Sequence, residues 1–119
     1  MVTDFIIVDD DPINNMLCKL IIEQRFCTVN VHSFTDPNDA LAYIESNYSN
    51  TEAAATVLFL DINMPTLTGW EFLDVFEAFP VIIKARFKIF MLSSSVDPKD
   101  KEHAALNENV FAYIEKPLT

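Results

Sequence analysis

The chain has 119 residues, the length of one ordinary domain, and half of them are hydrophobic, which suffices for a buried core. The formal net charge of −10, from 18 acidic and 8 basic residues, argues against direct binding to nucleic acid or to an anionic membrane. The single glycine excludes the glycine-rich loops that cradle nucleotide phosphates.

The first unit of the chain is predicted to be a strand, an acidic turn and a helix. An apolar run over 5–8 indicates a strand buried on both faces, and Asp9, Asp10 and Asp11 follow it. Asp11 before Pro12 is typical of a helix start, because the aspartate oxygen accepts an unpaired amide hydrogen and proline needs no partner there. The helix is indicated by apolar residues at helical spacing, which are Ile13, Met16, Leu17, Leu20 and Ile21.

The second unit leads into the central strand. Residues 28–34 alternate between apolar and polar side chains, which predicts a strand, and Asp36 with Pro37 repeats the helix-start signal. Four apolar residues over 57–60 then run into Asp61, and the next proline ends the extended segment. This pattern predicts a third strand buried on both faces, with Asp61 at the carboxyl end, where α/β sheets bind their ligands.

The second half of the chain continues the alternation. A third helix is predicted from Trp70, after the glycine, and segment 79–87 is interpreted as a short helical turn packed on the edge of the sheet. Strand patterns cover 88–92 and 110–114, with a fourth helix between them. The start signal of that helix is again an aspartate before a proline, Asp97 and Pro98.

Five predicted strands therefore alternate with four predicted helices. This pattern predicts an α/β fold, a doubly wound five-stranded parallel sheet with strand order 2-1-3-4-5. In that order the carboxyl ends of strands one, three, four and five meet on one edge. The polar residues expected at this edge are Asp9, Asp10, Asp61, Ser93 and Lys116.

The predicted edge gathers three carboxylates, a hydroxyl and an ammonium group. Two carboxylates ~5 Å apart repel by ~3 kcal/mol at an effective dielectric of ~20, so the cluster needs a counter-charge. Mg²⁺ suits it, because this ion is bound by one or two carboxylates together with waters and phosphate oxygens. Lys116 supplies a charge for a phosphate oxygen and Ser93 a donor, so a carboxylate here could attack phosphorus. Taken alone, each residue also has a structural reading, as a cap, a turn hydroxyl or a surface lysine.

Four stretches of the sequence resemble the receiver domain of bacterial two-component response regulators of the chemotaxis-regulator kind. They are residues 6–12, residues 60–65 with Gly69, residues 91–94 and residues 113–117, in the order and spacing of that family. The resemblance covers nearly the whole chain and implies a flavodoxin-like fold.

The resemblance also implies a role for each polar residue at the predicted edge. Asp61 would be the phosphoacceptor, Asp10 a direct Mg²⁺ ligand, and Asp9 a ligand acting largely through water. Asn63 would lend its backbone carbonyl to the metal, and its side chain would tune hydrolysis of the acyl phosphate. Lys116 would hold a phosphoryl oxygen. The conformational switch would consist of Ser93 and Tyr113.

The implied function is that of a phosphoacceptor signalling domain. A sensor histidine kinase or a phosphotransfer protein would deliver the phosphoryl group, and the switch would regulate a downstream protein target. The domain would assist only its own phosphorylation and dephosphorylation. Two alternatives stay open: a degenerate receiver that binds partners without phosphate, and an aspartate-nucleophile phosphohydrolase. Such hydrolases typically carry a second acid two residues after the nucleophile, where this chain has Asn63.

The ends of the chain bear on location and assembly. No apolar run approaches the ~20 residues that span a bilayer, and the N-terminus lacks a cleavable signal, so the expected location is cytoplasmic. The family usually has a fifth helix after the Lys-Pro turn, whereas this chain stops at Thr119. We therefore predict a single receiver domain over 1–119 without its last helix. Either that helix is missing from this chain or a partner, such as a second copy in a homodimer, covers the apolar face.

Overall fold

A computed structural model describes residues 2–26, 28–48, 55–93 and 98–115, with side chains from Asp4 onward. Five parallel strands form one sheet in the order β2-β1-β3-β4-β5, which confirms the predicted α/β fold and strand order. The strands are β1 Val2–Val8, β2 Asn30–Phe34, β3 Ala55–Asp61, β4 Phe87–Ser93 and β5 Val110–Glu115. The helices are α1 Pro12–Arg25, α2 Pro37–Asn47, α3 Gly69–Glu77, α4 Val81–Lys84 and α5 Pro98–Leu106.

The central strand β3 is buried on both faces, as its apolar run predicts. Leu58 and Leu60 enter one core cluster, under α2 and α3, while Val57 and Phe59 enter a second cluster on the opposite face. Because successive side chains of a strand alternate between faces, a strand covered on both sides must be apolar throughout. The apolar run of β3 therefore matches a strand that is covered on both sides of the sheet.

Two of the predicted helix starts are confirmed. Asp11 Oδ1 accepts a hydrogen bond from the amide of Ile13 at 2.9 Å, with Pro12 as the first residue of α1. Asp36 caps α2 in the same way. Helix α5 begins at Pro98, and the predicted cap Asp97 lies outside the described residues. Strand β2 begins two residues later than the alternating pattern predicts.

The helix count differs from the predicted four, because segment 79–87 contains the separate helix α4. Its four residues form a short helical element, as predicted, but Ile83 is 1% exposed and lies in the core cluster with Phe76 and Ile89. A buried isoleucine explains why this segment has the composition of a strand. The helix that the family places after the fifth strand would follow Glu115, where the description of the chain ends.

Helix α1 buries a different face from the one that its apolar residues mark. Asn15, Cys18 and Ile22 are buried and face the sheet. The apolar residues Ile13, Met16, Leu17 and Leu20 are 64%, 55%, 48% and 49% exposed. None of the helices in the described ranges is long and apolar enough to cross a membrane.

Candidate functional site

Three carboxylates meet at the carboxyl edge of the sheet. Strands β1 and β3 are neighbours with Val8 opposite Leu60, so the residues that follow, Asp9 and Asp61, come to lie side by side. One carboxylate oxygen from each of Asp9, Asp10 and Asp61 lies within 4.8 Å of the other two. Asp9 and Asp61 are 0% and 4% exposed, while Asp10 is exposed. The structure therefore brings together the three acids that the sequence predicts.

The buried carboxylate of Asp9 is held by the first turn of α1. Its Oδ1 accepts from the amide of Asp11 at 3.0 Å, and its Oδ2 accepts from the side-chain amide of Asn14 at 2.6 Å. Asn15 donates to the backbone carbonyl of Asp9 at 2.9 Å and to that of Phe34 at 3.3 Å. The donors from Asp11 and Asn14 satisfy carboxylate oxygens that would otherwise be costly to bury.

The loop after Asp61 is folded back by the glycine. The amide of Gly69 donates to the carbonyl of Ile62 at 2.8 Å, and the amide of Ile62 donates to the carbonyl of Leu92 at 3.1 Å. A Cβ at position 69 would lie 2.7 Å from the carbonyl oxygen of Asp61, closer than such atoms approach. The absence of a side chain at Gly69 therefore lets α3 begin directly against the end of β3.

The proposed switch residues lie on β4 and β5. Ser93 is the last residue of β4 and is 0% exposed. Tyr113 is partly buried, packs against the first core cluster, and pairs in register with Met91, two residues before Ser93. Both residues thus lie near the carboxyl edge, on neighbouring strands, but their switching roles stay predictions.

The predicted roles of two further site residues, Asn63 and Lys116, stay predictions. Asn63 follows β3 and is exposed, and the contribution of its backbone carbonyl to a metal stays a prediction. Lys116 lies outside the described residues, as does Pro117. Its predicted contact with a phosphoryl oxygen therefore remains a prediction from the sequence.

The donor set of the edge fits a hard divalent cation. Three carboxylates from two strand ends offer oxygen ligands only, which Mg²⁺ prefers, and their mutual repulsion is relieved by a positive ion. Asp10 is exposed, so solvent reaches the cluster, and waters or a phosphate oxygen would complete the coordination of a bound ion.

Helix α5 is attached to the start of α3 close to this edge. The rings of Trp70 and His103 stack with centroids 3.9 Å apart at an interplanar angle of 15°. The indole Nε1 of Trp70 also donates to Oδ1 of Asp100 at 3.3 Å. The helix that follows the Asp61 loop and the helix between β4 and β5 are therefore connected by side-chain contacts.

The profile of the response regulator receiver domain family matches residues 5–119. The chain belongs to this family. The receiver domain resembles a response regulator receiver protein of Dyadobacter fermentans, with 30% identity and a TM-score of 0.91 over 99% of this chain and 89% of that one. A two-component response regulator of Cytophaga hutchinsonii is similar at 32% identity and a TM-score of 0.90, over 99% and 88% of the two chains.

Curated relatives point to the same family at lower identity. The two-component response regulator ORR1 of Oryza sativa subsp. japonica is 24% identical over 98% of this chain and 50% of its own length. The cyclic di-GMP phosphodiesterase response regulator RpfG of Xanthomonas campestris is 28% identical over 97% of this chain and 28% of its own length. The receiver domain thus spans half or less of these two relatives.

The two asparagines that hold Asp9 were not predicted from the sequence. Asn14 and Asn15 lie on α1 between apolar residues, where the helical pattern gives them no distinct role. The available signal was position: a polar residue in the first helical turn lies within reach of the acidic turn before it.

Proposed function

We propose that this receiver domain accepts a phosphoryl group on Asp61, with Mg²⁺ as the counter-ion, and passes the signal to a partner protein. The observation that carries the proposal is the cluster of three carboxylates within 4.8 Å at the carboxyl edge of the sheet. Three acids in one place are costly unless they bind a cation, and one acid beside a cation is a suitable nucleophile towards phosphorus.

The proposed chemistry is transfer from phosphohistidine. A carboxylate oxygen of Asp61 attacks phosphorus, the P–N bond breaks, and its electron pair leaves with the imidazole nitrogen. Mg²⁺, bound by Asp9, Asp10, Asp61 and the backbone carbonyl of Asn63, would neutralise the charge of the phosphoryl oxygens. Lys116 would bind one of these oxygens. The contribution of the protein is therefore positioning and electrostatic stabilisation.

Burial of Asp61 supports its choice as the acceptor among the three acids. Its side chain is 4% exposed, whereas Asp10 is exposed to solvent. Asp9 is buried too, but it follows β1, whereas Asp61 is the last residue of the central strand β3. Asp61 is thus the shielded acid at the end of the central strand, where the acyl phosphate would be partly protected from water.

The exposed apolar residues of α1 support a helical protein partner that carries the phosphohistidine. Ile13, Met16, Leu17 and Leu20 lie at positions i, i+3, i+4 and i+7, so they form one stripe about 10 Å long. The stripe begins two residues after Asp11, directly beside the acidic edge. A sensor histidine kinase or phosphotransfer protein that packs a helix on this stripe would bring its histidine to Asp61.

The proposed response to phosphorylation runs through β4, β5 and α5. Ser93 would move towards the phosphoryl group on Asp61, which would leave space for Tyr113 to turn inward. The two side chains lie on neighbouring strands, and α5 between those strands is linked to α3 by the Trp70–His103 stack. This arrangement would bias two existing conformations of one surface, which a downstream target protein would distinguish.

The test is labelling by acetyl phosphate with Mg²⁺, followed by intact mass spectrometry. The unsubstituted chain should gain one phosphoryl group that is lost on treatment with hydroxylamine, and Asp61→Asn should gain none. Asp74→Asn is the matched control, because Asp74 is an exposed acid on α3 outside the site, and it should be labelled normally.

Other results would favour the alternative functions. Undiminished, acid-stable labelling of Asp61→Asn would reject Asp61 as the acceptor. An unsubstituted chain that neither binds Mg²⁺ nor takes the label would be a degenerate receiver. Fast turnover of p-nitrophenyl phosphate by the unsubstituted chain would instead indicate a phosphohydrolase.

A further inference from the structure

The side chain of Asn14 contacts the acidic edge in a way that neither capping nor packing requires. Asn14 is the third residue of α1, and a polar side chain at this position commonly reaches back to the amide of the helix cap. Here its Nδ2 instead donates to Oδ2 of Asp9, two residues before the cap Asp11, at 2.6 Å. The same nitrogen lies 3.7 Å from the sulfur of the buried Cys18.

A second asparagine fixes the backbone of the same residue. Asn15 is 4% exposed and donates from Nδ2 to the carbonyl oxygens of Asp9 and Phe34. Its Oδ1 has no hydrogen-bond partner among the residues that the structure describes, so the hydrogen bonds of this buried side chain are those that its Nδ2 donates. Asn15 thus holds the main chain of Asp9, and Asn14 holds its carboxylate.

From these contacts we propose that Asn14 is a positioning residue that raises the Mg²⁺ affinity of the acidic edge by fixing the carboxylate of Asp9. The inference rests on the proposed function, because it takes Asp9 as part of the Mg²⁺ site. Two donors, Asn14 Nδ2 and the amide of Asp11, hold the two oxygens of this carboxylate, so its orientation is set before any ion arrives. Hydrogen-bonded partners of metal-binding carboxylates typically raise metal affinity 10–100-fold.

The chemical nature of the asparagine matters as much as its position. A lysine or arginine in its place would supply a positive charge and compete with the cation for the three acids. The neutral amide donates a hydrogen bond to Asp9 and leaves the negative charge of the cluster for the metal. Asn14 therefore orients the carboxylate of Asp9 without adding a charge to the site.

The experiment measures Mg²⁺ affinity by calorimetry in the unphosphorylated protein. Asn14→Leu keeps the branched shape of the side chain and loses the donor, while Asn14→Ala loses both. Leucine and alanine favour a helix more than asparagine does, so both variants should fold. Both should bind Mg²⁺ about tenfold more weakly than the unsubstituted chain. Asn38→Ala, an exposed asparagine in the first turn of α2, is the control and should bind normally.

A second readout separates positioning from a structural effect. The acetyl phosphate labelling rate of Asn14→Leu should be reduced at limiting Mg²⁺ and return to the unsubstituted rate at saturating Mg²⁺. Asn14→Gln, which keeps an amide donor, should recover part of the lost affinity.

The outcomes distinguish this inference from the proposed function. If the unsubstituted chain binds Mg²⁺ and Asn14→Leu binds it equally well, Asn14 has no positioning role while the proposed function stands. A labelling defect of Asn14→Leu that persists at saturating Mg²⁺ would also overturn the inference. An unsubstituted chain that does not bind Mg²⁺ would overturn both proposals.

Discussion

Gly69 occupies a position where a side chain has no room. A Cβ there would meet the carbonyl oxygen of Asp61 at 2.7 Å and the terminal methyl of Met91 at 2.9 Å. The methionine can move, but the carbonyl belongs to the backbone of the predicted phosphoacceptor. A side chain at this position must therefore displace α3 or the end of β3.

We expect Gly69→Ala to lower the free energy of unfolding by about 1–3 kcal/mol, the usual cost of overpacking. It should also slow labelling by acetyl phosphate, because the displaced backbone carries Asp61. Urea denaturation and labelling rates measure the two effects. Thr66→Ala, an exposed change in the same loop, is the control. A Gly69→Ala variant with unchanged stability and labelling would show that α3 need not approach Asp61 closely.

Glu77, the last residue of α3, connects this helix to α4 and to the residue before β5. Its Oε1 accepts from Lys84 Nζ at 3.2 Å, and its Oε2 accepts from the side-chain amide of Asn109. The hydrogen bond from Asn109 lowers the pKa of Glu77 below its ordinary value of 4.5, and Lys84 lowers it further. A lowered folded-state pKa means that the ionised form stabilises the fold.

The Glu77 contribution should therefore be present above pH 4.5 and disappear as the pH falls through the lowered folded-state pKa. Glu77→Gln carries no titrating group there, so it should be less stable than the unsubstituted chain at neutral pH, and this difference in stability should shrink as the pH falls below the lowered pKa of Glu77. Urea midpoints across this range measure the difference. A stability difference that does not change with pH would contradict the assignment.

At the level of residues, the reactive groups of the site could be predicted from the sequence better than the residues that hold them in place. Asp9, Asp10 and Asp61 follow apolar strands whose order the βα pattern predicts, so their meeting could be foreseen. The hydrogen bond from Asn14 depends on a side-chain rotamer, and the function of Gly69 depends on a contact with a distant strand. Neither follows from local sequence.

Helix α1 shows why apolar spacing did not identify the buried face of a helix. The pattern placed the helix correctly, but the face towards the sheet carries Asn15 and Cys18 with Ile22. The asparagine is tolerated there because two backbone carbonyls accept from its amide. The exposed leucines and isoleucine of α1 form a stripe on the surface, and such a stripe is more typical of a contact with another protein than of a core.

We expect Leu17→Ser to slow phosphotransfer from a protein donor about tenfold while labelling by acetyl phosphate stays unchanged, because only the protein donor needs the α1 stripe. The donor is any histidine-phosphorylated phosphotransfer protein that labels the unsubstituted chain. Leu17 is 48% exposed, so the variant should keep its stability. Equal slowing with both donors would contradict this prediction.

Ile22→Ala provides the matched comparison on the buried face of α1. Ile22 is 3% exposed in the second core cluster, so its truncation should cost about 2–4 kcal/mol in the free energy of unfolding. The two variants together separate the face of α1 that stabilises the fold from the face that is available to a partner.

For the whole molecule, charge and topology act together. The chain carries 18 acidic residues and a net charge of −10, and its sheet order places oxygens of three of these acids within 4.8 Å of one another. The strand order was predictable because long apolar strands, short loops and right-handed crossovers permit few arrangements. The short helical element α4 was predicted as well, but the burial of Ile83 was not, because it depends on contacts with residues that are distant in the sequence.

Mg²⁺ should stabilise the whole domain, because an ion that binds only the folded state shifts the unfolding equilibrium. At a concentration 100 times its dissociation constant, the gain is about 2.7 kcal/mol. Urea denaturation with MgCl₂ against NaCl of equal ionic strength separates binding from general screening of the charge. Asp10→Asn should lose most of the gain. Equal stabilisation by both salts would indicate screening alone.

The most direct test of the account is a crystal structure of the protein grown with Mg²⁺. We expect electron density for one ion whose ligands include carboxylate oxygens of Asp10 and Asp61 and the backbone carbonyl of Asn63. Asp9 should bind the ion through a coordinated water, and Lys116 should lie close to Asp61. A structure in which Asp9, Asp10 and Asp61 bind no ion and point into separate solvent regions, with Lys116 far from them, would contradict it.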